Sequence, residues 1–84
     1  MIRRLSLRVP DGLCVDDLGR VYVTNNSGDV SAILAFEPDG RFAGRIPIPV
    51  PPSNCTFGGA DRRTLYVTTQ HAVYEARSET PGLP

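Results

Sequence analysis

Side chains able to bind a ligand or move a proton are few in this chain, and most lie beside turns. Two Pro-Asp-Gly triplets, Pro10-Asp11-Gly12 and Pro38-Asp39-Gly40, each present a carboxylate between a proline of fixed φ and a permissive glycine. Such a carboxylate either organises its own turn or, facing a cavity, serves as a hard oxygen ligand or a general base. Asn25, Asn26, Asp29 and Asn54 add short polar groups. His71 is the only histidine; with no second His, no zinc-type cysteine pair and no spacing that suggests a triad, it reads as a loop residue. Cys14 and Cys55 read as buried free thiols rather than a bridge or a nucleophile. Arg62-Arg63 follows Asp61, which suits a solvated hairpin end, and no aromatic residues interleave with the arginine pairs to stack bases.

The elements that must position these groups are strands. Gly and Pro interrupt the chain so often that no stretch free of both exceeds nine residues before residue 60. The one long stretch, 60–80, opens its apolar part with Leu65-Tyr66-Val67-Thr68-Thr69, which favours strand. Short apolar runs predict strands at 13–16, 20–25, 32–36, 45–48, 55–57, 65–69 and 73–76, with one more over residues 1–9. Asp17-Leu18-Gly19 and Pro38-Asp39-Gly40 each fall between two of these runs and read as hairpin turns. An all-β antiparallel meander follows.

The meander repeats. Arg20-Val21-Tyr22-Val23-Thr24 returns as Thr64-Leu65-Tyr66-Val67-Thr68, 44 positions on, and Cys14-Val15-Asp16 returns loosely as Cys55-Thr56-Phe57, 41 positions on. A period near this length, holding about four short strands, is that of propeller blades; a β-sandwich is the alternative. Residues 2–8 then form the outer strand of a preceding blade, 10–48 a full blade, 52–77 a partial last blade and 78–84 a tail. About two blades cannot close a ring, so the chain reads as incomplete by itself. Three copies would supply strands enough for a ring, which makes a trimer one route to completion.

Composition narrows the classes of function. The chain has 84 residues and 9.1 kDa, with nine arginines, no lysine and a net charge of zero. That balance argues against nucleic-acid and membrane-surface partners. No run approaches the ~18 apolar residues of a membrane span. The charged start Met1-Ile2-Arg3-Arg4 is not followed by a secretory core, because Arg8 and Pro10 interrupt it. A cytoplasmic location is expected.

In order, Pro10-Asp11-Gly12-Leu13-Cys14-Val15-Asp16, Gly19-Arg20-Val21-Tyr22-Val23, Phe36-Glu37-Pro38-Asp39-Gly40, Asn54-Cys55-Thr56-Phe57-Gly58-Gly59 and Thr64-Leu65-Tyr66-Val67-Thr68 form a succession of motifs. It resembles the C-terminal part of the senescence-marker-protein/gluconolactonase/LRE-like family, to which the regucalcins belong, over roughly residues 9–77. The resemblance implies a six-bladed β-propeller with a divalent metal near its axis, Ca²⁺ foremost and Zn²⁺ or Mn²⁺ as alternatives. It also implies hydrolysis of a sugar-acid lactone or a related ester. Asp11 matches the family's Pro-Asp-Gly metal ligand, and is expected to act also as the base that takes a proton from water. The family's glutamate ligand and middle-blade asparagines would lie upstream of Met1, so activity is not expected of these residues alone. A noncatalytic propeller module that binds a partner through its loops is the alternative.

Within that frame Asp39 lies on the rim opposite the pocket, as a turn residue. Asn54 stands at the start of the next inner strand, either facing the pocket or satisfying loop backbone. Asn25, Asn26 and Asp29 are expected in a loop on the Asp11 rim, either solvated or contributing to the pocket wall.

Overall fold

The structure, a computed structural model, describes residues 11–27, 30–80 and 82. Seven strands account for most of them: β1 (Leu13–Val15), β2 (Val21–Ser27), β3 (Val30–Phe36), β4 (Phe42–Pro47), β5 (Pro52–Gly58), β6 (Thr64–Thr69) and β7 (Val73–Arg77). They form two antiparallel meanders, a four-stranded sheet in the order β1-β2-β3-β4 and a three-stranded sheet in the order β5-β6-β7. No helix occurs among the described residues, and none is long and apolar enough to cross a membrane. The strand expected over residues 2–8 lies outside the described residues.

Most strands run longer than the apolar pattern predicts. β4 starts at Phe42, through Gly44, because it is the outer strand of its sheet and the position of a Gly44 side chain is open space. β5 starts at buried Pro52, a strand's first residue being one place where a missing N–H costs no ladder bond. β2 continues to Ser27, so Asn25 and Asn26 are strand residues rather than loop residues. Their amides fit a strand because β3 pairs with β2 through Ser27↔Val30.

Turn chemistry explains the hairpins. Gly40, at φ 93°, donates its N–H to the Glu37 carbonyl, and Asp39 accepts from the Arg41 backbone (3.0 Å) and Arg41 Nε (2.7 Å). At the β1–β2 turn, Gly19 has φ 83° and bonds to the Asp16 carbonyl. The carboxylate organising that turn is Asp16, not Asp17: Asp16 Oδ1 accepts from the N–H groups of Leu18 and Arg20, both at 3.0 Å, while Asp17 is exposed.

The core lies between the two sheets. Tyr22, Ile33 and Ala35 of the first sheet face Cys55, Leu65 and Val67 of the second, and Ile48 of the connection closes the cluster. Tyr22 and Phe57 meet edge to face at 5.2 Å. Side chains alternate along each strand, so the opposite faces of the sheets point away from this core. Residues after β7 are tied back: Ser78 and Gly82 donate to the carbonyls of Arg63 and Arg62, and Asp16 and Gly82 form an isolated bridge.

The sheet registers correct the repeat. Val23 pairs with Leu13, and Val67 pairs with Cys55, so Leu13 and Cys55 are equivalent, 42 positions apart. Cys14 is therefore equivalent to Thr56 and not to Cys55. One residue of slip inverts the face on which a strand side chain emerges. The two cysteines consequently point toward each other from neighbouring sheets instead of both pointing one way.

Candidate functional site

Both inner strands, β1 and β5, begin at the same end of the molecule, and there two backbone segments approach closely. Gly12 precedes β1; a Cβ on it would fall within 3 Å of the Asn54 side chain and of the Asn54 Cα (2.6 and 2.9 Å to Cγ and Cα). Only glycine permits this approach. Asp11, exposed, sits one residue before that contact and lines a small hollow of about 140 Å³ with Gly12, Leu13 and Val23.

Thr24 fixes the chain at this point. Its side chain is fully buried on β2, and Oγ1 accepts the backbone N–H groups of Asp11 (3.0 Å) and Gly12 (2.9 Å). The Thr24 N–H in turn donates to the Gly12 carbonyl at 3.0 Å. In the second sheet Thr68 holds the matching place: its hydroxyl lies 3.0 Å from Ser53 Oγ and 3.4 Å from the Asn54 carbonyl. Asn54 thus occupies the position of Gly12, and Ser53, at a register shift in β5, occupies that of Asp11. Asn54 is not the direct counterpart of Asp11; it lies against the neighbouring Gly12. Asn54 Oδ1 accepts the N–H of Cys55 at 2.8 Å, so one side of its amide is committed locally.

The other polar residues go elsewhere. Asn25 is buried, whereas Asn26, on the opposite side of β2, lines a cleft of about 450 Å³ with residues that include Pro52, Ser53, His71 and Tyr74. Asp11 and Asn26 therefore face different hollows. Exposed His71 shares the Asn26 cleft, and Asp39 sits at the β3–β4 turn, at the far end from Asp11. Asp29 lies outside the described residues.

A hard divalent cation takes about 6–8 oxygen ligands. Asp11 has the right donor chemistry, but no group of three His, Cys, Asp or Glu side chains able to hold a metal occurs among the described residues. Asp11 would fill one position around such an ion, and its other ligands would have to come from outside the described residues.

One charged cluster escaped the sequence reading. Asp16 is fully buried, yet Oδ2 accepts from Arg20 Nε at 2.9 Å and from the Tyr22 hydroxyl at 2.8 Å. Burial pushes its carboxyl up, but the bonds from Tyr22, Arg20 and Leu18 outweigh that and hold it below the usual value. Burial and the bond to Asp16 push the Tyr22 hydroxyl up to about 12. Arg20 reaches on to Thr80 Oγ1 at 2.6 Å. The cluster is a structural tie between the first blade-like sheet and the segment after β7. Its only sequence signal was a carboxylate three residues before a Gly-Arg pair, which also fits an exposed hairpin.

Cys14 is half-buried and Cys55 buried; both are free thiols, with Sγ atoms 3.3 Å apart. Cys14 donates to Cys55, and Cys55 donates weakly to the Tyr22 carbonyl at 3.7 Å. The bond to Cys55, then burial, push the Cys14 thiol up, while the same bond makes Cys55 the sulfur that ionises first.

Comparison with known proteins gives this geometry its context. The SMP-30/Gluconolactonase/LRE-like region matches residues 3–71, and the chain belongs to that family. A pentonolactonase of Haloferax volcanii is 34% identical over 62 residues, covering 73% of this chain and 21% of the relative. A 6-deoxy-6-sulfogluconolactonase of Pseudomonas putida is 36% identical over 61 residues, covering 71% and 20%. The X-ray structure of a chain assigned to the gluconolactonases superposes with a TM-score of 0.78 at 33% identity, over 89% of this chain and 24% of that one. The two sheets are thus blade-like parts of the gluconolactonase fold. This chain spans about a fifth of the length of the curated relatives it matches.

Proposed function

We propose that these residues form the C-terminal two blades of a metal-dependent lactonase of the sugar-acid class, and that Asp11 is a metal ligand and the general base of its site. The observation that supports this reading is Asp11 beside a hollow at the start of the first inner strand, next to a Gly12 whose backbone lies against Asn54 of the second, in a chain whose relatives include lactonases. A bound divalent ion, Ca²⁺ first, would polarise the lactone carbonyl and acidify a water. Asp11 contributes a carboxylate oxygen to the ion and accepts the water's proton, and Thr24 holds the backbone beside it. Asn54 has N–H donors left for a substrate hydroxyl. The remaining ligands would come from further blades, in an upstream segment or in other copies.

The test is hydrolysis of an aldonolactone by the protein that carries these blades, with chelator and then with Ca²⁺ restored. Asp11→Asn is expected to lower kcat/KM by about 10³-fold and to weaken Ca²⁺ binding measured by calorimetry. Unchanged metal affinity and rate in that variant would overturn the assignment. Binding of a partner with no lactonase activity in the wild type would favour a noncatalytic module instead.

A further inference from the structure

We propose that Cys14 and Cys55 are an oxidisable pair that closes to a disulfide between the two blade-like sheets and staples their inner strands. The pair is set by register. Because Cys14 is offset by one position from the equivalent of Cys55, the two side chains leave neighbouring inner strands toward each other, and their sulfurs already lie 3.3 Å apart. A disulfide needs about 2.05 Å, so the sulfurs must approach by a little over an ångström, within reach of small side-chain rotations. No third thiol exists in the chain to compete for either partner.

A peroxide supplies the oxidant. Cys14 sulfur attacks one peroxide oxygen, the O–O bond breaks, and the departing oxygen leaves as water with the thiol proton; Cys14 is now a sulfenic acid. Cys55 sulfur then attacks Cys14 sulfur, the S–O bond breaks, and a second water leaves with the Cys55 proton. Two thiols are oxidised, one peroxide is reduced, and two waters form. Half-buried Cys14 marks the side from which a molecule as small as hydrogen peroxide reaches the pair. The bridge joins β1 directly to β5 and adds a covalent tie to the packing between the sheets and to the contacts of Asp16 and Arg20 with the segment after β7, so it restrains the separation of the two sheets.

The experiment treats the native chain with hydrogen peroxide, blocks residual thiols with an alkylating agent, and maps the peptides by mass spectrometry without reduction. The expected product is a Cys14–Cys55 cross-linked peptide about two mass units lighter than the separate peptides, reversed by dithiothreitol. Its formation in native buffer should be at least about 10-fold faster than in concentrated urea, because the fold supplies the effective concentration. The oxidised wild type should also unfold at higher urea than the reduced form, a difference absent in Cys14→Ser. Two alkylated thiols after treatment, oxygen added to a single sulfur, disulfide-linked dimers, or equal rates with and without urea would each overturn the proposal.

Discussion

Asp16 is the residue whose environment departs furthest from its appearance in the sequence. A carboxylate with no exposure is tolerable only when its lone pairs are filled, and Leu18, Arg20 and Tyr22 fill them. Asp16→Asn keeps the shape but removes the charge that Arg20 and Tyr22 are arranged around. It is expected to cost about 3 kcal/mol near neutral pH, measured by urea unfolding, as breaking a buried ion pair does. The pH dependence has a definite sign. Asp16 titrates lower in the folded state than unfolded, so its contribution is complete above about pH 4 and is lost as pH falls through the folded value. Tyr22 has the opposite sign: raised to about 12, it contributes fully below about pH 10 and fails as pH rises past its folded value. The gap between wild type and Asp16→Asn should therefore narrow below about pH 4; a gap constant from pH 7 to pH 2 would show that the carboxylate is not what stabilises this corner.

At the scale of the element, the strands repeat a single device. The last threonine of Val-Tyr-Val-Thr in β2 and of Leu-Tyr-Val-Thr in β6 bonds to the chain at the start of the neighbouring inner strand. Thr24 performs the stronger version, since one buried hydroxyl accepts two N–H groups. Thr24→Val retains the β-branched shape and leaves those two donors without their acceptor. The expected loss is about 2 kcal/mol of stability, together with about 10-fold weaker divalent-metal binding if Asp11 is a ligand, as loss of a supporting contact does. A stability loss with unchanged metal affinity would make Thr24 a strand fastener only. Most of this level was legible in advance. All seven strands of the described residues were predicted, because Gly and Pro marked their ends and β-branched and aromatic residues their middles. What was not legible was the register. The apparent match of Cys14 with Cys55 followed residue identity, whereas pairing follows which side chains must face the core, and that placed the repeat one position further along.

For the whole molecule, the consequence of having two sheets is that two faces have no sheet against them among the described residues. On the first sheet, Leu13 is 60% exposed on the face away from the core; on the second, Val73 is 65% exposed beside Thr68 and Tyr66. The register makes Val73 the counterpart of fully buried Ile33, since Thr24 pairs with Ile33 and Thr68 with Val73. The same sheet position is thus core where a neighbour follows and surface where none does. Leu13→Ser is expected to change the stability of this 84-residue chain by less than about 0.5 kcal/mol. In a closed ring, where a preceding blade covers Leu13, it should cost about 2 kcal/mol. Equal effects in both settings would mean that this face is not a blade–blade contact.

Local chemistry determined the strands, the hairpins and the family, because turn residues and β-forming runs act over a few neighbouring positions and leave their order in the chain. Asp11 was singled out by the family resemblance, since turn chemistry alone reads it as a turn residue. Tertiary structure alone decided that Asn54 lies against Gly12, that Asn26 faces a different hollow from Asp11, that Asp16 is buried and fully bonded, and that the two cysteines meet. Each of these depends on which face of a strand a side chain takes and on how closely two backbones approach. Both are set only when the sheets pack against each other.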